Sequence, residues 1–237
     1  MFRSRLAYSL IACLAVMPAL ANPTFNEGDY LADVLQHLDR AKLALESGQT
    51  SLALAHTRIV LHDQGLNIFF DLSNIPESQK EECLKAATES VRYWNSVLGE
   101  GSLRTVQNES EAQVRIDFRE EVVLQNVQVG GYCSQSRAVT SSPEGEAIDE
   151  YRATILARTK WPGGRSLSGD YLRNIVTHEM GHLYGLSDCA EPGHLMSPLN
   201  PTKTKFDLHP DELEALKQLR LTAFETQRSI QAKSKGN

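Results

Sequence analysis

The order of elements along the chain predicts an α+β domain. Strand patterns cluster in the middle, from Leu66 to Ala157, and helical patterns flank and interrupt them. A single long amphipathic helix falls between the first two strands, and an irregular stretch separates the last two helices. No glycine-rich phosphate loop joins a strand to a helix, which argues against a nucleotide-binding α/β repeat. The chain has 237 residues, 41% hydrophobic and 23% charged. That composition is ordinary for a globular protein and the length suits one domain with a small addition. The formal net charge is −6 and no Lys/Arg run occurs, so nucleic acid is excluded as a partner class.

Residues 1–21 read as a secretory signal peptide. Arg3 and Arg5 form a basic start, Leu6 to Leu20 is mostly apolar, and Ala19-Leu20-Ala21 has the small-x-small form of a cleavage site. The apolar stretch falls short of the roughly 18 to 20 residues a membrane span requires, so none is expected. The implied location is secreted or periplasmic. Leu10-Ile11-Ala12-Cys13 is a loose lipobox, which leaves lipid anchoring at Cys13 as the alternative. Cleavage after Ala21 leaves Cys83, Cys133 and Cys189. Cys133 and Cys189, both in loop-like sequence beside the histidine motif described below, are the candidate disulfide pair. Three free thiols are the other reading.

Residues 22–62 are expected to hold a helical hairpin, with Leu31, Val34, Leu35 and Leu38 on one helix, Ser47-Gly48 as the stop, and Leu52, Leu54, Ala55, Ile59 and Val60 on the other. It is either a pro-segment or a packing element of the main domain. A main domain is expected over 63–222. Leu66 to Phe70 is its first strand. Glu77 to Leu98 is a long helix with Leu84, Ala87, Val91, Trp94 and Leu98 on one face and Gly99 past its end. Short strands follow at Leu103–Val106 and Val114–Phe118. A hairpin or edge strand is expected around Gly130-Gly131, and another strand at Tyr151–Ala157. Pro143 to Glu150 reads as an acidic loop, solvated or calcium-binding. Helices are expected at Asp170–Leu183 and Pro210–Leu219, and 223–237 as a flexible tail.

The chemistry concentrates in His178-Glu179-Met180-Gly181-His182-Leu183-Tyr184-Gly185-Leu186-Ser187-Asp188. Histidines four apart on a helix share one face, so both imidazoles reach one ion. Glu179, adjacent to the first, is placed to act as a base rather than a ligand. Three protein ligands, an open position for water and a free carboxylate are what a hydrolytic zinc site needs. An HExxH alone also occurs by chance on surface helices, but three further features accompany this one. Gly185 stands where the helix must stop and turn back. Asp188 then follows at a distance that lets it serve as third ligand, and Leu195-Met196-Ser197-Pro198 places a methionine in a tight turn.

This pattern resembles the metzincin clan of zinc peptidases, and its spacing from third ligand to methionine is similar to the matrixin-like members. The resemblance implies a twisted, mixed five-stranded sheet with an antiparallel edge strand above the active-site helix. It implies Zn2+ as cofactor on His178, His182 and Asp188, with Glu179 as catalytic base and Met196 packing beneath the metal. It implies hydrolysis of internal peptide bonds in an extended protein or peptide, held near Val127 to Tyr132 by a monomeric enzyme, with Pro198 to Lys205 walling a side-chain pocket. The third ligand is Asp where the commoner pattern has His. Spare histidines are too few for the second, structural zinc of vertebrate-type matrixins. His194, two before the methionine, is the one rival ligand, but its place in the turn favours solvent or substrate contact. The competing reading is a non-catalytic zinc-stapled binding module, against which the retained Glu179 argues.

Overall fold

The computed structural model describes residues 27–142 and 146–235. The expected signal segment 1–21, including Cys13, and the tip of the acidic loop lie outside the described residues. Helices α1 (Ala32–Glu46) and α2 (Thr50–Leu61) form the expected hairpin. Then come β1 (Leu66–Asp71), α3 (Glu77–Leu98), β2 (Leu103–Thr105) and β3 (Val114–Arg119). A small ribbon of β4 (Val123–Leu124) and β5 (Val127–Gln128) precedes the long strands β6 (Gly131–Ser141) and β7 (Ala147–Arg158). The chain closes with α4 (Gly169–Leu183) and α5 (Pro210–Lys235).

The main sheet has the order β2-β1-β3-β7-β6. Its first four strands are parallel, and β6 runs antiparallel to β7 along the edge, Gly131 opposite Ala157 and Ser141 opposite Ala147. The inner strands β3 and β7 are buried at Val114, Ile116, Phe118, Ile155 and Ala157, as expected for strands covered on their faces. Helix α3 packs along α4. There Trp94 donates from Nε1 to the Thr177 carbonyl (3.0 Å), and the hydroxyls of Ser90 and Thr177 meet at 2.8 Å. This pairing fixes α4 beneath the sheet.

Three expectations are corrected and one is refined. The apolar face of α3 runs through Cys83, Ala86, Ala87, Val91 and Trp94, and Leu84 is exposed. The long acidic loop is cut back because β7 already starts at Ala147, so Asp149 and Glu150 lie on an extended strand where their carboxylates do not converge. The edge strand expected around Gly130-Gly131 is β6, preceded by the β4–β5 ribbon. The expected tail is helical: α5 continues to Lys235 because Ala223 and Ile230 are buried, Ile230 against Ala44 and Ala53 of the hairpin.

The hairpin is built into the domain. Val34, Leu38, Ile59, Val60 and Leu61 belong to the same apolar core as the sheet and α4. Deleting residues 22–62 is therefore expected to yield aggregated or molten protein rather than a folded domain. Near-UV circular dichroism of residues 63–237 against 22–237 checks this.

Three histidines are buried where the hairpin meets the domain. His37 and His56 oppose each other at 2.9 Å between Nδ1 atoms, and His62, in the left-handed conformation that ends α2, reaches the Leu183 carbonyl at 3.1 Å. Burial holds all three below the ordinary value of 6.5, with nearby Arg137 assisting at His37 and His62; His56 falls to about 4 and His62 to about 3. Below pH 6.5 the unfolded chain takes up protons that the folded chain refuses. Stability is thus full above that pH and declines as pH falls toward about 3–4. The decline is expected to be as much as about 1.4 kcal/mol per pH unit for each such histidine. Urea midpoints at pH 7 and 5 check the slope, which His56→Gln should flatten.

Candidate metal centre

Helix α4 begins at Ser168, whose hydroxyl accepts from the Tyr171 amide, and brings His178, Glu179 and His182 to the cleft under β6. Each histidine is fixed from behind. His178 Nδ1 donates to the Leu195 carbonyl and His182 Nδ1 to the Leu186 carbonyl, both at 2.8 Å. Protons held at Nδ1 leave the Nε2 lone pairs facing the cleft, the arrangement a metal-ligating imidazole requires.

At Gly185 the chain adopts φ +87°, and a Cβ there would lie 3.0 Å from Leu219 and 3.1 Å from Val34. Only glycine meets both the angle and the space. The returning strand is then paired with the segment before α1. The Leu31 amide donates to the Gly185 carbonyl at 2.9 Å and the Ser187 amide to the Asp29 carbonyl at 3.0 Å. Asp188 follows directly. Its Oδ1 lies 3.2 Å from His178 Nε2 and 3.6 Å from His182 Nε2.

Two donors on one zinc at tetrahedral angles stand about 3.4 Å apart. The contacts of the Asp188 oxygen with the two imidazoles have that spacing, and a donor set of two imidazoles and one carboxylate fits the same ion. Glu179 also lies near, with Oε2 at 4.0 Å from His182 Nε2, but it is turned against β6. A Cβ on Gly131 would sit 2.5 Å from Glu179 Oε1, and the Cys133 amide hydrogen-bonds to the carboxylate. Burial pushes the Glu179 carboxyl up to about 7. Asp188 is held below its ordinary value, chiefly by its close contact with His178, in the place a cation would occupy.

Beneath the histidines, Met196 is buried with its sulfur against the backbone of Gly181. Its turn is held by the buried Glu212 of α5, which accepts from the amides of Leu195 (3.0 Å), Met196 (2.7 Å) and His209 (2.7 Å). Behind His182, the C-terminal turn of α4 is tied to β6. Gln135 donates to the His182 carbonyl at 3.2 Å and Arg137 to the Leu183 carbonyl at 2.9 Å, while Arg137 pairs with Asp33 of α1 at 2.6 Å. The sequence reading missed Gln135, Arg137 and Glu212. Alternation along β6 was the available signal for the first two, since both occupy its inward-facing parity.

Two expectations at the site are corrected. Cys133 and Cys189 are free thiols. Cys133 stands on β6 beside Glu179, while the Cys189 sulfur turns toward the Glu191 carbonyl at 3.8 Å. His194 does not face solvent: it is 9% exposed and its ring rests 4.1 Å from that of His209.

A helix presenting HExxH under the antiparallel edge of a mixed five-stranded sheet defines a metallopeptidase of the metzincin type. Residues 62–220 match the family model described as Matrixin, and the chain belongs to that family. It is therefore a matrixin-like metallopeptidase, of a family that implies zinc and a protein substrate. No curated protein matches the chain.

The closeness of Gly131 to Glu179 generates a test. Gly131→Val is expected to displace the carboxylate and to lower peptide cleavage by on the order of 10²-fold or more, with zinc content unchanged. Metal analysis alongside kcat checks it.

Proposed function

We propose that the chain is an exported, monomeric zinc endopeptidase that hydrolyses internal bonds of extended polypeptides. The observation that carries this is a buried glutamate, Glu179, standing beside three convergent donors under an open sheet edge. In this reading His178, His182 and Asp188 hold the zinc. When bound, the ion supplies Lewis acidity toward a water molecule and the scissile carbonyl. The chain's own residues do the rest.

Strand β6 pairs on one side only, so its outer amides and carbonyls are available to an extended substrate chain. The expected pairing region moves accordingly from Val127–Tyr132 to the start of β6. The cleft of about 850 Å³ runs between β6 and the segment Pro198–Pro201 and is walled by Trp161 and Tyr171, whose rings stack at 5.0 Å. The chain just after that segment is anchored from below by Asn174, which donates to the Lys205 carbonyl at 2.8 Å. The segment itself reads the substrate side chain that follows the scissile bond.

Glu179 takes a proton from the attacking water and passes it to the leaving amine nitrogen. Its raised pKa, near neutrality, suits a group that must both accept and donate. The composition of segment 1–21 supports export. No helix among the described residues is long and apolar enough to cross a membrane.

Purified residues 22–237 are expected to cleave an unfolded protein in a zinc-dependent way. Glu179→Ala should reduce kcat by on the order of 10³-fold or more while zinc still binds. Equal cleavage by both proteins, or failure of the native chain to bind zinc, would sink the reading.

A further inference from the structure

A second group of donors lies on the far side of the Met196 turn. His194 precedes the methionine by two residues, His209 and Asp211 stand at the start of α5, and Glu191 lies on the loop after Asp188. The donor atoms of His194, His209 and Asp211 fall within 4.8 Å of one another. Asp211 Oδ2 is 3.3 Å from His209 Nδ1 and 3.9 Å from His194 Nε2, and Glu191 Oε2 is 4.0 Å from that same Nε2.

The distances to His194 are too long for hydrogen bonds. They approach the separation of about 3.4 Å between donors sharing one tetrahedral ion, as do those at the catalytic cluster. The burial of His194 points the same way. The residue is 9% exposed, and shielding from water strengthens its interaction with a cation. Its Nε2 faces two carboxylates. The amide contact to His209 Nδ1, from Asp211, is long at 3.4 Å, and an ion would displace it at little cost. A cavity of about 520 Å³, bordered by Glu191, His194 and Asp211, gives the position access to solvent.

We propose that His194, His209 and Asp211 form a second binding site for a borderline divalent cation such as Zn2+. Imidazole and carboxylate donors in a half-open tetrahedral set select such an ion over calcium or magnesium, which prefer oxygen ligands only. Bound there, the cation cross-links the loop that follows Asp188 to the start of α5. Glu212 of α5 already holds the Met196 turn, and that turn carries the carbonyl that orients His178. The site therefore braces the catalytic ligands from behind and takes no part in the reaction.

The test is calorimetric titration of metal-free residues 22–237 with Zn2+, with metal analysis after gel filtration. The native protein is expected to bind a second equivalent, and His209→Ala and Asp211→Asn are each expected to lose that equivalent while keeping the first. Both side chains are at least partly exposed, and unchanged melting of the metal-free variants shows that they fold. Saturating Zn2+ should raise the Tm of the native protein further than that of either variant. A His178→Ala/His182→Ala protein should lose the catalytic equivalent and retain the other, so failure of the catalytic assignment reads separately from failure of this one. Binding of a single equivalent by the native protein, or retention of both in His209→Ala, would overturn the proposal.

Discussion

The last turn of α4 leaves backbone carbonyls that the helix cannot satisfy itself, and it leaves them in the interior, directly behind a cleft-facing histidine. Arg137 answers this. Its side chain is 1% exposed and donates to the Leu183 carbonyl while pairing with Asp33 and lying over the Tyr151 ring. Burying a guanidinium costs several kcal/mol, and leaving a buried carbonyl unpaired costs about 1–3 kcal/mol. Each penalty is offset only when both groups are present together. A cation at a helix C-terminus also meets the negative end of the macrodipole. The position of His182 thus depends on one arginine joining a sheet edge, the end of a helix and the N-terminal hairpin. Gln135 and His62 add further contacts to the same turn.

The methionine turn is held by the same logic with the sign reversed. Here backbone amides are short of acceptors, and the carboxylate of Glu212 takes three of them. That places the Leu195 carbonyl where it receives the His178 Nδ1 proton. One histidine is therefore oriented through a buried anion on α5, the other through the Gly185 turn that returns its chain to Leu186. Met196 fills the volume between them against Gly181, so the packing beneath the cleft and the hydrogen bonds behind it are set by neighbouring residues of one turn.

Much of this was legible in the sequence because it is local. Helix periodicity located α3 and α4, Gly99 and Ser168 lie at their ends, and the motif from His178 to Asp188 contains its own turn signal in Gly185. What was not legible depends on partners far apart in the chain. Arg137 looks like an ordinary surface residue of an alternating strand until Asp33 and the end of α4 are brought to it, 104 residues away in the case of Asp33. The helix expected to end near Leu219 continues because Ile230 finds Ala44 and Ala53, a contact no window of sequence reveals. His194 carries no local signal of burial at all. The pairing expected of Cys133 and Cys189 rested on nearness to the motif, which says nothing of where the two sulfurs point.

The family match begins at residue 62, but the folded unit begins earlier, and the metal cleft explains why. The loop from Gly185 to Asp188 carries a carboxylate that is 73% exposed. Leu186 anchors the start of this loop in the core, but the chain emerges to the surface by Asp188. It gains order by pairing with residues 28–31, through Leu31 to Gly185 and Ser187 to Asp29, with Tyr30 opposite Leu186. Tyr30 is buried and donates its hydroxyl to the Ala215 carbonyl, so that added strand is itself anchored to α5. Leu31 then reaches the wall of the cleft. These contacts tie the segment before α1 to the loop that carries Asp188. The hairpin shares one apolar core with the residues that match the Matrixin model, and the geometry of Asp188 is shaped as much by the residues before α1 as by the motif that contains it.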